Sequence, residues 1–238
     1  MGGRLLECTG YGGGTMSELW LTRILISKET VWNLSHRLGD RTKSSDQVLG
    51  LNAYNWHRLS WDAFPGCDGA ARDFLTRLDE HAGRVRLLIL SPRTTTPPQW
   101  LTQRDEWASK QIPQGFFTAR SYRFQLHANP TVKRIVRNAA GERKKNGRRE
   151  PITDKMEIFH WLNRKGQTGG FTVQADSLEI QAAPIRFTKK ENVGTHHAVD
   201  IEGVLHIADP LLFHQETFSK GIGSAKAFGF GLLCLAPI

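Results

Sequence analysis

The chain is 238 residues long and 39% apolar, enough to bury two small cores or one larger one. No apolar run approaches the roughly 20 residues of a membrane-spanning helix, the opening MGGRLLECTGYGGGT lacks the apolar stretch of a secretory signal, and three widely spaced cysteines (Cys8, Cys67, Cys234) fit neither a disulfide framework nor a zinc site. A cytoplasmic protein with no membrane partner is expected, and its net charge of +9 invites a polyanion.

Residues 1–15 carry many glycines and are expected to lie outside the fold, which starts at Met16. LWLTRILI (Leu19–Ile26) reads as a strand, and the mixed, polar stretch Ser27–Gly50 as an excursion. Asn52 can cap a helix over AYNWHRLSWDAF (Ala53–Phe64), with Trp56, Leu59, Ser60 and Ala63 on one face and Pro65-Gly66 as its stop. GAARDFLTRLDEH (Gly69–His81) reads as a second helix, VRLLILS (Val85–Ser91) as a buried strand, and PRTTTPP (Pro92–Pro98) as a stiff connector. TARSYRFQLHANP (Thr118–Pro130) alternates Tyr122, Phe124 and Leu126 with Arg123, Gln125 and His127, a strand with one wet face.

Most of the charge sits in KRIVRNAAGERKKNGRR (Lys133–Arg149), where eight basic residues and one acid give +7 of the chain's +9. Turn formers Gly141 and Asn146-Gly147 make this a candidate basic hairpin for phosphates. A helix is expected from Thr153 to Gly166, capped by Thr153, ended by Gly166, with Met156, Phe159 and Leu162 inward. GFTVQADSLEIQAAPIRFTKK and HAVDIEGVLHIAD read as strands, and Asp209-Pro210 opens a last helix that stops at Gly221. Strands and single helices alternating twice suggest two βαββαβ-like halves, 16–128 and 129–238, in an α+β fold with antiparallel sheets.

GIGSAKAFGFG (Gly221–Gly231) spends four glycines around one lysine. Glycine loops let backbone N–H groups approach phosphates. Here, though, a helix precedes the loop and a strand follows it, which matches neither dinucleotide nor P-loop spacing, so no nucleotide cofactor is expected. With Lys226, Phe228 and Phe230, the loop better suits an extended phosphate backbone, although glycines needed only for tight packing would read the same way. The adjacent His196 and His197 would point to opposite faces of a strand, and no HExxH or paired-carboxylate pattern occurs, so no metal site is expected.

The tail GIGSAKAFGFGLLCLAPI resembles the C-terminal signature of the CRISPR repeat-processing endoribonucleases, in particular those of the CasE type in subtype I-E. LWLTRILI, AYNWHRLSWDAFPG followed by AARDFL, YRFQLHANPTVKR and IEGVLHIAD follow in the family's order from about Met16 to the end. The resemblance implies tandem ferredoxin-like (RRM-like) domains that bind the repeat stem-loop of precursor CRISPR RNA. It implies cleavage without metal to 5′-hydroxyl and 2′,3′-cyclic phosphate ends, with the mature crRNA retained among the other Cascade subunits. The family's catalytic tyrosine and histidine fall on Tyr54 and His57. Where many relatives have proline this chain has Ser224, and where some have lysine it has Asp62.

Metal-free RNA cleavage uses the substrate's 2′-OH as nucleophile, so the protein must move two protons and steady the phosphorane's charge. Tyr54 and His57, at i and i+3, share one side of a helix, and Arg58 or Lys226 could add the cation. Arg137, Arg143, Lys144, Lys145, Arg148 and Arg149 are assigned to the RNA stem. Gly221, Gly223, Ser224 and Lys226 are assigned to the strand approaching the cut. A non-catalytic RNA-binding subunit of the same fold, or a DNA-binding protein, would share the basic segment.

Overall fold

The structure, a computed structural model, describes residues 16–40, 49–67, 70–135, 148–189 and 192–238. Its first half runs β1 (Trp20–Ile26), α1 (Lys28–Arg37), α2 (Ala53–Trp61), β2 (Leu75–His81), β3 (Arg84–Ser91) and β4 (Glu106–Gln111). These strands form one antiparallel sheet in the order β2-β3-β1-β4, with Ile24 opposite Leu87 and Trp107.

The second half runs β5 (Ser121–Ala128), β6 (Thr131–Arg134), β7 (Arg148–Pro151), α3 (Lys155–Gly169), β8 (Phe171–Val173), β9 (Glu179–Ala182), β10 (Ile185–Lys189), β11 (Asn192–His196) and β12 (Val199–Ile207). It closes with α4 (Pro210–Leu212), a π-helical stretch Phe213–Phe218, and β13 (Leu233–Pro237). The main sheet has the order β13-β5-β12-β8, with β9 also pairing β12. In both sheets the fourth main strand lies beside the first, and the third separates the first from the second. This is the ferredoxin-like order, used twice in tandem.

Four local expectations change. The second helix expected over Gly69–His81 is strand β2: Phe74 and Leu75 bury toward opposite sides of the sheet, the signature of period two rather than 3.6. The excursion after β1 holds α1, whose Val31 and Leu34 turn inward and whose Ser27 Oγ accepts from Thr30 N at 3.1 Å. The strand expected to close the first domain, β5, is central in the second sheet, between β13 and β12. The first sheet ends instead with β4, a strand that no sequence pattern pointed to, and no helix lies between β3 and β4.

The helix after the basic segment also shifts. Asp154, not Thr153, caps α3 through Glu157 N at 2.9 Å, and Ile158, Trp161 and Leu162 face the core while Met156 is exposed. Gly166 does not end it. The helix crosses β8 there so closely that a Cβ would sit 2.3 Å from the Phe171 carbonyl oxygen.

The middle of the first sheet is buried on both faces. Ile24, Ile26, Leu87 and Ile89 pack against α1 and α2 through Val31, Leu34, Trp56 and Leu59. Leu75, Leu88 and Leu90 face the other way, into a core shared with Phe124, Leu126, Trp161, Phe213 and Leu233 of the second half. Strands covered on two sides read as unbroken apolar runs, as VRLLILS does.

Asp105 ties the start of α1 to the turn before β4. Its carboxylate accepts from Ser27 N (2.7 Å), Thr30 Oγ1 (2.8 Å), Thr102 N (2.8 Å) and Thr102 Oγ1 (2.9 Å). Partial burial works against the charged form, but these donors outweigh it and hold the pKa below the ordinary aspartate value. A depressed folded-state pKa gives stability that is present above the unfolded value and lost as pH falls through the folded one. Asp105→Asn should therefore cost about 1–2 kcal/mol at neutral pH, discounted for a partly hydrated carboxyl. In urea unfolding the gap between variant and wild type should narrow as pH falls below the ordinary aspartate value and through the depressed folded one.

Candidate active site

Asn52 fixes the start of α2, its Oδ1 accepting from Tyr54 N (2.8 Å) and Asn55 N (3.0 Å). Trp56, Leu59 and Ser60 are buried beneath the helix, and this leaves Tyr54, His57, Arg58 and Trp61 along its outer side. Tyr54 is 50% exposed and His57 is half-buried one turn on. Trp61 Nε1 donates to His57 Nε2 at 3.4 Å, a long and weak bond, and the two rings meet edge to face. His57 Nδ1 is buried with no hydrogen-bond partner among the described residues. Burial, and then the charge of Arg72, lower the His57 pKa, so the imidazole is neutral at pH 7.

Arg72, just before β2, lies in the AARDFL stretch that shares the family's order, but no sequence pattern gives it a role. Its Nη1 donates to the carbonyls of Phe74 (2.8 Å) and Lys226 (3.0 Å), joining the first sheet to a loop 154 residues away. No carboxylate pairs with it among the described residues.

The glycine-rich loop brings its turn Lys226–Phe228 against α2 and β2. Gly221 and Gly231 close it. Ile222 N donates to Gly231 O at 2.9 Å, and a Cβ on Gly221, at φ +72°, would lie 2.7 Å from that same oxygen and 2.8 Å from Leu75. Buried Gly221 thus serves the loop's own closure, while Gly223 and Ser224 are half-buried nearer its rim. Ser224 Oγ donates to Asn129 O at 3.0 Å and lies 3.5 Å from Thr131 Oγ1, where β6 begins. Lys226 Nζ donates to Lys220 O at 2.6 Å, and burial followed by the charges of Arg72, Lys165 and Lys220 lowers its pKa.

The structure thus gathers Tyr54, His57 and Arg58 on α2, Arg72 before β2, and Ser224 and Lys226 on the loop into one neighbourhood. The base of the basic hairpin adjoins it, β6 pairing β7 with Lys133 opposite Arg149 and Arg134 opposite Arg148. Arg137, Arg143, Lys144 and Lys145 lie outside the described residues. Among the described residues no group of three metal-ligating side chains forms.

Comparison with known proteins decides the family. A family model described as CRISPR associated protein matches residues 19–237. The CRISPR system Cascade subunit CasE of Escherichia coli K12 is 31% identical over 189 residues, covering 78% of this chain and 92% of that one. The chain belongs to the CasE-type CRISPR-associated proteins. A second CasE-type relative, the CRISPR-associated endoribonuclease Cse3 of Thermus thermophilus, is 26% identical over 235 residues, covering 92% of this chain and 100% of that one. The solved structure of a CRISPR endoribonuclease Cse3 bound to a 19-nucleotide RNA shares the fold with a TM-score of 0.68 at 23% identity, covering 92% and 99% of the two chains. Among the described residues of this CasE-type chain, no helix is long and apolar enough to cross a membrane.

The influence of Arg72 on His57 is measurable. Arg72→Gln should move the NMR titration midpoint of the His57 imidazole upward toward that of an ordinary histidine, whereas Arg72→Lys, which keeps a charge, should leave it near the wild-type value.

Proposed function

We propose that the chain is a CRISPR RNA-processing endoribonuclease that binds the repeat stem-loop of the precursor, cuts it without a metal ion and remains on the mature crRNA as a Cascade subunit in the cytoplasm. The observation that carries this reading is the meeting of Tyr54 and His57 with the glycine-rich loop, beside the root of a strongly basic hairpin. The names of its relatives, a Cascade subunit and an endoribonuclease, support the same reading.

In this mechanism the 2′-OH of the nucleotide before the cut attacks the adjacent phosphorus. Its proton passes to neutral His57, the bond to the 5′-oxygen breaks as that oxygen takes a proton from the Tyr54 phenol or from water, and 2′,3′-cyclic phosphate and 5′-hydroxyl ends result. His57 Nε2 is free for this once the weak Trp61 bond opens. Tyr54, exposed one turn before, presents its phenol to the phosphoryl or leaving oxygen. Arg72, Arg58 and Lys226 surround the site with positive charge for the phosphorane. Arg72 has two carbonyl bonds and no acid partner among the described residues, so it is the best placed of the three. The nucleophile belongs to the substrate and the proton carriers to the protein, so no step calls for a metal.

Arg137, Arg143, Lys144, Lys145, Arg148 and Arg149 then hold the stem through its phosphates, as an A-form helix with a deep, narrow groove requires. Gly223, Ser224 and Lys226 meet the strand leading to the cut, with Gly221 giving that loop its shape. A cation that neutralises a phosphate displaces counterions, so removing it should flatten the salt dependence of binding. Arg148→Gln combined with Arg149→Gln should lower the slope of log K against log salt by about 1 for each phosphate no longer neutralised. Filter binding between low and physiological salt measures this.

The catalytic claim is tested with a labelled repeat hairpin in EDTA. Wild type should cut the 2′-hydroxyl substrate and not its 2′-deoxy counterpart. His57→Ala should bind equally well and cut about 10²–10⁴-fold more slowly. The acidic limb of the wild-type rate should fall below the pH of an ordinary histidine. Equal cutting by both proteins removes His57 from the mechanism, and binding without cutting by wild type leaves a non-catalytic RNA-binding subunit.

A further inference from the structure

Trp61 has a second neighbour. The indole that donates to His57 also lines a cleft of about 740 Å³ between the end of α2 and the segment 96–100. Phe64 continues this aromatic wall, its ring centroid 6.4 Å from that of Trp61. Trp100 forms another side, only 7% exposed, with its indole N–H buried beside Asp62. The Asp62 carboxyl lies beside that N–H, which together with the charges of Arg37 and Arg58 works against the upward push of burial on its pKa, and Gln99 and Arg37 complete the rim.

These groups define a ligand class. The Trp61 indole on the wall favours a flat, polarisable partner with polar edges. The Asp62 carboxyl and the Gln99 amide offer the complementary acceptor and donor. An aliphatic ligand would leave all of these unpaired, and a bare phosphate would meet the Asp62 carboxyl. A nucleobase satisfies the set, and the volume is ordinary for a site that holds a base with its sugar. Arg37 and Arg58, whose charges reach Asp62, can take the phosphates on either side.

We propose that this cleft is a base-binding pocket that holds, unstacked, the base of a nucleotide flanking the scissile phosphate. Trp61 is common to the cleft and to the His57 contact, so an occupant of the cleft belongs to a nucleotide next to the phosphate that His57 meets. Stacking on Trp61 also competes for the indole whose N–H now engages His57 Nε2. The placement beside the cut rests on the endoribonuclease reading; the pocket itself rests on the cleft's own residues.

The test uses the full chain and a repeat hairpin made uncleavable by 2′-deoxy substitution at the scissile nucleotide, so that binding is read apart from cutting. 2-Aminopurine placed in turn on each side of the scissile phosphate should be quenched on binding at one of the two positions. An abasic nucleotide at that position should weaken binding about tenfold. Thr96→Trp fills the cleft from its exposed rim and leaves every proposed catalytic residue in place. In this variant, the quenching and the abasic penalty should both disappear, with folding checked by its unfolding midpoint. Unchanged affinity for both abasic RNAs with no quenching in wild type overturns the pocket. So does a penalty that persists undiminished in a folded Thr96→Trp protein. Failure of intact repeat RNA to be cut in EDTA would instead remove the endoribonuclease reading and leave the pocket measurement standing.

Discussion

The arrangement depends on one strand, β3, that is buried on both faces. Leu87 and Ile89 on β3 point toward the helices of the first half, while Leu88 and Leu90, one residue away in each case, point into the core of the second. Successive side chains of a strand face opposite ways, so a single eight-residue strand is part of two cores at once. A shift of one residue in its pairing would exchange those two sets. The relative placement of the halves is thereby set by side-chain packing, and the candidate site lies along their seam. α2 belongs to one half and the glycine-rich loop to the other, and neither carries the proposed chemistry alone.

At that seam the backbone does much of the positioning. Gly231 N donates to His127 O at 2.8 Å at the end of β5, and Ile222 N returns to Gly231 O, so the loop is closed at its neck before it projects toward α2. Arg72 then reaches from the first half to the Lys226 carbonyl. One guanidinium thus performs two tasks. Its hydrogen bonds hold the loop at a fixed distance, and its charge helps to keep His57 neutral. A lysine in its place could supply charge but not the forked geometry of a guanidinium.

Legibility in the sequence follows the range of the interaction. α2, with its Asn52 cap and its Trp56, Leu59 and Ser60 face, is a local pattern, and the structure matches it closely. The alternation of Tyr122, Phe124 and Leu126 likewise marks β5, and turn formers within a basic run mark the paired strands β6 and β7. β2 misleads because Phe74, Leu75 and Leu78 mimic helical spacing; a strand buried on both faces has no polar alternation to betray it. α1 is hidden by its mostly polar composition, with two apolar side chains buried in ten residues. Arg72 and the Trp61–His57 contact leave different traces. The second is an i, i+4 pair on a helix that the sequence already marks. The first joins residues 154 apart, and its arginine stands in AARDFL, a stretch that follows the family's order but has the spacing of the wrong element.

The electrostatics of the seam also distinguish folding from function. Arg72, Lys165, Lys220 and Lys226 crowd one another closely enough that burial and mutual repulsion lower the Lys226 pKa. Lys220 is paired with Glu216 at 2.6 Å, as elsewhere Arg86 is with Asp79 at 2.6 Å, Arg93 with Asp73 at 2.8 Å and Arg134 with Glu150 at 2.6 Å. Arg72, Lys165 and Lys226 have no carboxylate partner among the described residues, although like charges brought together cost energy that one would offset. Leaving them together makes sense when the anion comes from outside. A phosphate entering the seam relieves repulsion already present in the free protein. Part of its binding energy is then stored in the protein before the RNA arrives, at the place where the proposed transition state concentrates negative charge.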